Sequence, residues 1–354
     1  MEINFVLPPY PKNIIGGYEV VFEYANYLVA HNHNVHLWFV DDLKWEKQKH
    51  FLLRYLVHKL KNKNPMSGWF QLSPDIKVHQ HANIKDIKAG DVVVATAWST
   101  ALSVFALPAE AGRKFYFIQD DESVFFDREV IEDTWKLQME KIVVASWLKE
   151  KIERTTNERV WLVKNFVKLS EFPLIVPINK RNPKKITMMF HEDVRKGTEY
   201  GLAALKIVKS AIPDIDITIF SVFKKPKNLE KYINFVENPS RKYLSKIYNE
   251  SSIYIMPSIQ EGWGLTATEA MASGVAVVST KNGGVEDFGF NNVTAKIVPV
   301  KNEKLLAKAI IELLQNDDER RRIANNGYEY SKQMTFTKSA KLLEKIFVGS
   351  GDKK

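Results

Sequence analysis

Residues 256–274 read Met256-Pro257-Ser258-Ile259-Gln260-Glu261-Gly262-Trp263-Gly264-Leu265-Thr266-Ala267-Thr268-Glu269-Ala270-Met271-Ala272-Ser273-Gly274. The apolar run that ends at Met256 has the length and β-branched content of a buried strand, and the stretch after Gly264 runs without a breaker to a helix-ending glycine, Gly274. The order is strand, loop, helix. Gly262 and Gly264 let the backbone approach a ligand, and the first N–H groups of the helix, with its dipole, form a site for phosphate or for sugar oxygens. Glu261 stands in the loop and Glu269 roughly one to two turns into the helix, so both can face one site. A carboxylate accepts two hydroxyls side by side, which suits the vicinal hydroxyls of a sugar or ribose. Each acid taken alone reads equally as a solvated or helix-capping group. Residues 262–267 also fit the G-x-G-x-x-A dinucleotide pattern, a weak match that lies far from the first βαβ unit.

On either side of this segment, short apolar runs alternate with amphipathic stretches, the pattern of βαβ units and parallel sheets. Strands are expected at Ile186–Phe190, Asp216–Phe220, Ile253–Met256, Val275–Ser279 and Ala295–Val298. An earlier series is expected at Ile3–Leu7, Val35–Val40, Asp91–Thr96, Lys114–Gln119, Lys141–Ala145 and Val160–Val163. Between the two, Phe172 to Lys185 carries three prolines and no period. The expected organisation is an N-terminal domain over 1–170, a linker over 171–185, a C-terminal domain over 186–335, and over 336–354 a helix that packs back on the N-terminal domain, followed by a tail. The expected class is α/β, with two Rossmann-like doubly wound domains facing a central cleft, where ligands bind beyond the carboxyl ends of the strands.

The 354 residues are 45% hydrophobic and 26% charged, enough for two such domains. The absence of cysteine excludes disulfides, thiolate nucleophiles and Cys-ligated zinc or iron–sulfur sites. Fifty-one basic against 42 acidic residues give a net charge of +9, which points to phosphate-bearing molecules, anionic lipid or nucleic acid. Nucleic acid is set aside, because the cations are not interleaved with an aromatic recognition motif. The N-terminus lacks a basic and apolar leader and no run is apolar enough to span a bilayer, so a cytoplasmic location is expected. Residues 44–64 hold seven basic side chains against Glu46, with leucines and a valine at helical spacing. They read as a basic amphipathic helix that either lies on an anionic membrane, peripheral to the inner face of the plasma membrane, or packs on the core. The histidine pairs His31/His33 and His79/His81 lack adjoining cysteine or a clear carboxylate partner, and no metal site is expected.

Taken whole, residues 256–274 resemble the E-x7-E signature of the family 4 retaining glycosyltransferases of GT-B fold, and the resemblance extends over most of the chain. Gly16-Gly17, the following helix and the stretch Leu28–Leu37 are similar to the family's opening glycine loop, first helix and second strand, with Asn32 in place of the helix-ending glycine. Val163-Lys164-Asn165-Phe166-Val167 resembles the domain-junction motif, and Arg195-Lys196-Gly197 the basic diphosphate-binding turn. The resemblance implies that Glu261 contacts the donor sugar's hydroxyls, that Glu269 binds the ribose and that Lys196 neutralises the diphosphate. It also implies that the amides of Gly262, Trp263, Gly264 and Leu265 hold sugar and phosphate and that Gly16 and Gly17 close over the phosphates. Two positions depart from the pattern: His191 stands where an arginine is usual, with Arg195 as a candidate replacement, and Asp287 stands where glutamate is usual.

Tyr116–Phe125, with the acids Asp120, Asp121 and Glu122, resembles the subgroup containing rhamnosyltransferases of bacterial surface-polysaccharide and S-layer glycan assembly. Asp120 and Asp121 would orient acceptor hydroxyls or stabilise a cationic transition state; capping of the next helix is the other reading. The resemblance implies a metal-free hexosyltransferase without a cofactor, taking a dTDP-, UDP- or GDP-linked sugar to a glycan or lipid-linked glycan with retention of configuration. A phosphorylase or epimerase of similar architecture, or a dinucleotide-dependent enzyme, is the alternative.

Overall fold

The computed structural model describes residues 1–11, 15–41, 70–124 and 126–349. The basic stretch 44–64 and the terminal tail therefore lie outside the described residues. The chain divides into two compact units. One comprises Met1–Val144, Leu148–Val163 and Ala340–Lys354; the other comprises Ala145–Trp147 and Lys164–Ser339.

The first unit holds a parallel sheet of seven strands in the order β3-β2-β1-β4-β5-β6-β7. They are β1 Glu2–Leu7, β2 Asn34–Val40, β3 Lys77–Ala82, β4 Val92–Ala95, β5 Arg113–Ile118, β6 Glu140–Val143 and β7 Trp161–Leu162. Strand β4 is buried at every residue and the inner part of β5 likewise, as expected for strands covered on both faces. The helix Gly16–Ala30 ends at Asn32, which adopts φ +63°, the left-handed conformation that asparagine tolerates in place of glycine. In this unit Phe347, from the helix Phe336–Val348, packs on Phe115 with ring centroids 5.1 Å apart, and Glu344 accepts a hydrogen bond from the Tyr27 hydroxyl (3.0 Å).

The second unit holds six parallel strands in the order β10-β9-β8-β11-β12-β13. These are β8 Lys185–Met189, β9 Asp216–Ser221, β10 Ile233–Glu237, β11 Ile253–Met256, β12 Ala276–Thr280 and β13 Ala295–Val298. Ile186 and Met188, Ile217 and Ile219, Ile253 and Ile255, and Ala276 and Val278 are two residues apart on adjacent strands and so line one face of the sheet. That face packs on Leu205 and Val208 of the helix Thr198–Ala211 and on Leu306, Ile310 and Leu313 of the helix Glu303–Gln315. Strand order reverses beside β8, whose neighbours are β9 and β11. The loops leaving β8 and β11 therefore meet at a topological switch point, the place where open α/β sheets bind ligands.

Each expected strand is present to within one or two residues at its ends. Two further strands, β3 and β10, were not expected. Both are sheet edges, with a single neighbour each, and in their sequences, Lys-Val-His-Gln-His-Ala and Ile-Asn-Phe-Val-Glu, polar residues interrupt the apolar ones. The segment 171–185 is not a free tether: it belongs to the second unit, where Phe172 and Arg181 are buried. The Arg181 guanidinium donates to the carbonyls of Val176, Tyr248, Ser251, Ser273 and Gly274, the last four at the C-terminal ends of the helices Arg241–Glu250 and Leu265–Ala272. Burial lowers its pKa to about 10. Residues 145–147 and 164–170, expected in the first domain, also group with the second unit. Among the described residues no helix is long and apolar enough to cross a membrane.

Candidate active site

In the second unit the loop after β8 folds into a tight turn, 190–197, that is stitched to the loop after β11. The Arg195 carbonyl accepts from the Ile259 N–H (2.6 Å), and Gly197 ends the turn at φ +59°. A Cβ at Gly197 would lie 2.1 Å from the Pro257 carbonyl oxygen, so the close approach of the two loops requires glycine. On its other side the β11 loop pairs with the loop after β12: the Glu261 N–H donates to Asn282 O (2.9 Å) and Glu261 O accepts from the Gly284 N–H (3.0 Å). Trp147 closes this edge, its indole N–H donating to Gly262 O at 3.1 Å.

This framework fixes Glu261. Its side chain is buried, with Oε2 accepting from Lys196 Nζ and Oε1 from the Ser258 hydroxyl, each at 2.7 Å. Directly after it Gly264, at φ +99°, turns the chain into the helix Leu265–Ala272 and has no side chain with which to cap it. The Gly264 carbonyl accepts from the N–H groups of Ala267 and Thr268, so the helix opens with its first amides and its positive dipole end at the loop. Trp263 is buried and packs on Phe288 with ring centroids 5.4 Å apart.

Further along the same helix, Glu269 is buried, and its carboxylate accepts from Arg241 Nη1 (3.0 Å) and from the Tyr248 hydroxyl (3.2 Å). Arg241 also donates from Nε to Glu171 (3.0 Å) and lies over the Phe172 ring, 4.8 Å from its centroid. Burial, reinforced by Glu269, holds the Tyr248 hydroxyl well above its ordinary pKa, so it stays a donor.

The structure thus brings His191, Arg195, Lys196, Glu261, Gly262, Trp263, Gly264, Leu265 and Glu269 into the second unit, around the loops at its switch point and the helix that follows. Arg195 is turned onto Asp193, donating from Nη2 (3.0 Å) and Nε (3.2 Å) to one carboxylate oxygen. Asp287 accepts from the Ser146 N–H (2.7 Å) and hydroxyl (2.6 Å) and pairs with Lys164 (2.6 Å).

Gly16, Gly17, Asp120 and Asp121 belong to the first unit. Gln119 Nε2 donates to Gly17 O (2.9 Å), which draws the glycine turn and the acidic string together. The acids are committed locally: Asp121 is buried and paired with Lys151, Asp120 accepts from the Asp121 N–H (2.8 Å), and Glu122 accepts from the Trp98 N–H (2.9 Å) at the start of the helix Trp98–Phe105. Burial alone would raise the Asp121 carboxyl, but the hydrogen bonds from Lys151 and Ser123 outweigh it and hold its pKa low. Asp121 is therefore a paired acid rather than a poised base, and Glu122 meets the start of the earlier helix Trp98–Phe105, whereas the next helix, Arg128–Trp135, is capped by Asp127.

Sequence reasoning named Lys196 but not its pairing with Glu261, and it missed the other groups that hold the two glutamates. Arg241 and Tyr248 come from another helix, Arg241–Glu250, and nothing in their spacing points to Glu269. Ser258, three residues before Glu261, was within reach of a reading that asked what satisfies a buried carboxylate. Among the described residues no group of three His, Asp or Glu side chains is placed to hold a metal ion.

Residues 175–330, nearly all of the second unit, match the family model for glycosyl transferases group 1. An uncharacterized glycosyltransferase of Methanocaldococcus jannaschii is 27% identical over 152 residues, which is 40% of this chain and 43% of that protein. The chain thus aligns with about two fifths of this curated relative's length. Among solved structures, a sucrose-phosphate synthase from Thermosynechococcus elongatus superposes with a TM-score of 0.77 at 16% identity, covering 98% of both chains. HepE of Anabaena, solved in complex with UDP-glucose, superposes with a TM-score of 0.75 at 12% identity, over 99% of this chain and 100% of that one. At these identities the structural likeness carries the fold: a two-domain, Rossmann-like α/β architecture shared with GT-B glycosyltransferases. Over residues 175–330 the chain is thus similar to the group 1 glycosyl transferases.

Proposed function

We propose that this protein is a glycosyltransferase that moves a hexose from a nucleotide-diphosphate sugar to a hydroxyl of a glycan or lipid-linked glycan. The observation that carries the reading is the Lys196–Glu261 pair set beside the uncapped start of the helix Leu265–Ala272, within the segment that matches the family model. In the reaction, the bond from the anomeric carbon to the diphosphate oxygen breaks and its electron pair leaves with the diphosphate. The acceptor oxygen forms the new bond on the same face and its proton passes to the leaving phosphate. Most of the catalysis required is charge stabilisation and positioning. The helix amides and Lys196 face the charge that develops on the diphosphate. Glu261 has one oxygen on Lys196 and the other on Ser258, which suits an oriented acceptor for donor hydroxyls better than an attacking nucleophile. Glu269, held by Arg241 and Tyr248 in the second turn of the helix, suits the vicinal hydroxyls of a ribose whose phosphate sits at the helix start.

The finer reading, rhamnose transfer in surface-polysaccharide or S-layer glycan assembly, rests on the Tyr116–Phe125 string. A transfer assay that sets dTDP-rhamnose beside UDP- and GDP-hexoses tests both levels. Release of a nucleoside diphosphate with any of these donors supports the transferase, and rhamnose preference supports the finer reading. Failure with every nucleotide sugar contradicts the proposal.

A further inference from the structure

At the edge of the first sheet two histidines face each other. His36 of β2 and His79 of β3 bring Nδ1 and Nε2 to 2.9 Å, with ring planes 10° apart and centroids at 5.1 Å. Trp38, the register partner of His79 on β2, lies flat against the His79 ring, with centroids 3.6 Å apart and planes at 7°. The indole is itself fixed, since its N–H donates to Asn4 Oδ1 at 2.8 Å. At the other end of the pair, His36 Nε2 lies 2.5 Å from Glu2 Oε1. A carboxylate only accepts, so His36 carries its proton on Nε2, and its bare Nδ1 receives the Nε2–H of His79. Among the described residues β3 pairs only with β2, and of its six residues Ala82 alone is buried, so little else holds the strand.

Two ring nitrogens at this distance hold one proton between them. A first added proton goes to His79 Nδ1 and leaves the arrangement intact. A second has only His36 Nδ1 to go to, where it meets the Nε2–H of His79, and the rings must part. The charged groups that face the pair are Glu2 of β1, Lys77 of β3 and Asp86 of the turn Ile84–Asp86. Burial, the largest effect, lowers the pKa of both rings; Lys77 adds to it at each and His36 adds to it at His79, while Glu2 opposes it at His36 and Asp86 at His79. With both folded-state values below the ordinary 6.5, the stability these rings contribute is whole above that value and is lost as pH falls through the folded ones. We propose that the His36–His79 pair is a proton-operated latch on the edge of the first unit: with one proton between the rings β3 is held on β2, and protonation of both rings releases it. The latch belongs to the first unit alone and is independent of the functional reading above.

Hydrogen exchange on the full chain tests it, read as protection factors for peptides over β3 and over β4 at pH 7.5 and pH 5. In wild type, β3 is expected to lose roughly 10-fold or more of its protection at the lower pH, while β4 keeps its own. His79→Gln, whose side-chain amide bonds to His36 Nδ1 in either orientation and takes no proton, is expected to remove most of that pH response. His36→Gln is the second variant, with the same expectation, and thermal melts at pH 7.5 confirm that each is folded. In nitrogen-detected imidazole spectra of wild type, the two resonances lost in these variants are expected to titrate as a coupled pair, with the second protonation accompanying the loss of β3 protection. Wild-type β3 protection that is unchanged at pH 5 overturns the inference. So does a pH response equally large in both folded variants, or a pair of rings that titrate independently while β3 stays protected.

Discussion

Lys196 Nζ lies 2.7 Å from Glu261 Oε2 and joins the turn after β8 to the loop after β11 at the switch point of the second sheet. The pair places a cation and an anion, each with a partner already in place, next to a helix start that is short of acceptors. Because the Lys196 side chain keeps 21% of its exposure, removing its partner leaves an ammonium that water can reach. Glu261→Ala is therefore expected to cost only about 1 kcal/mol of stability and to reduce transfer far more, by about 100-fold or more. Steady-state turnover and a denaturant melt on the same preparation check this; near-normal transfer removes Glu261 from its role.

Gly197 is a structural requirement of the same junction. A methyl group there meets the Pro257 carbonyl oxygen at 2.1 Å on a backbone already at φ +59°. Gly197→Ala is expected to destabilise the second unit by about 2–3 kcal/mol or more, with a clear fall in denaturant midpoint. An unchanged midpoint would mean that the two loops do not approach as described.

Arg181 satisfies five carbonyls from a buried position. Arg181→Met keeps much of the stem and removes every donor, which leaves several carbonyls in the interior without a partner. The expected cost is about 3 kcal/mol or more, read as a lower thermal midpoint. A solvated linker arginine would give no such loss.

The first unit carries a pH-dependent contribution at Asp121. Its folded pKa is depressed below the ordinary value of 3.8, so the stability it contributes is present above that value and is lost as pH falls through the folded pKa. Asp121→Asn is expected to destabilise at pH 7 and to make a much smaller difference at an acid pH below the folded pKa, where the wild-type carboxyl is neutral in both folded and unfolded chains. Paired melts at the two pH values check the sign. An equal penalty at both would assign the effect to packing rather than to the Lys151 pair.

Much of this architecture was legible in the sequence because inner strands of a parallel sheet are covered on both faces and read as apolar runs; Ile253–Met256 and Val92–Ala95 are examples. The edge strand β3, with its lysine and two histidines, carries no such signal and went unread. Three prolines gave 171–185 the look of a tether, and the burial of Arg181 depends on carbonyls up to 93 residues away. Within the site, loop glycines and the positions of Glu261 and Glu269 were readable because strand, loop and helix follow one another in the chain. The partners that orient those acids were not, since Lys196 stands 65 residues before Glu261 and Arg241 lies 28 before Glu269. In the first unit, Asp121 looked available because Lys151 is 30 residues downstream of it.

In the proposed function, the helix Leu265–Ala272 takes a nucleoside diphosphate along its first turns, with Glu269 on the ribose. Calorimetric titration of UDP, GDP, ADP and dTDP, as free diphosphates and as sugar conjugates, into wild type and Glu269→Ala tests it most directly. At least one nucleotide is expected to bind wild type, and the variant to bind it roughly 10-fold or more weakly while remaining folded. Binding of no nucleotide, or equal binding by both proteins, would contradict it.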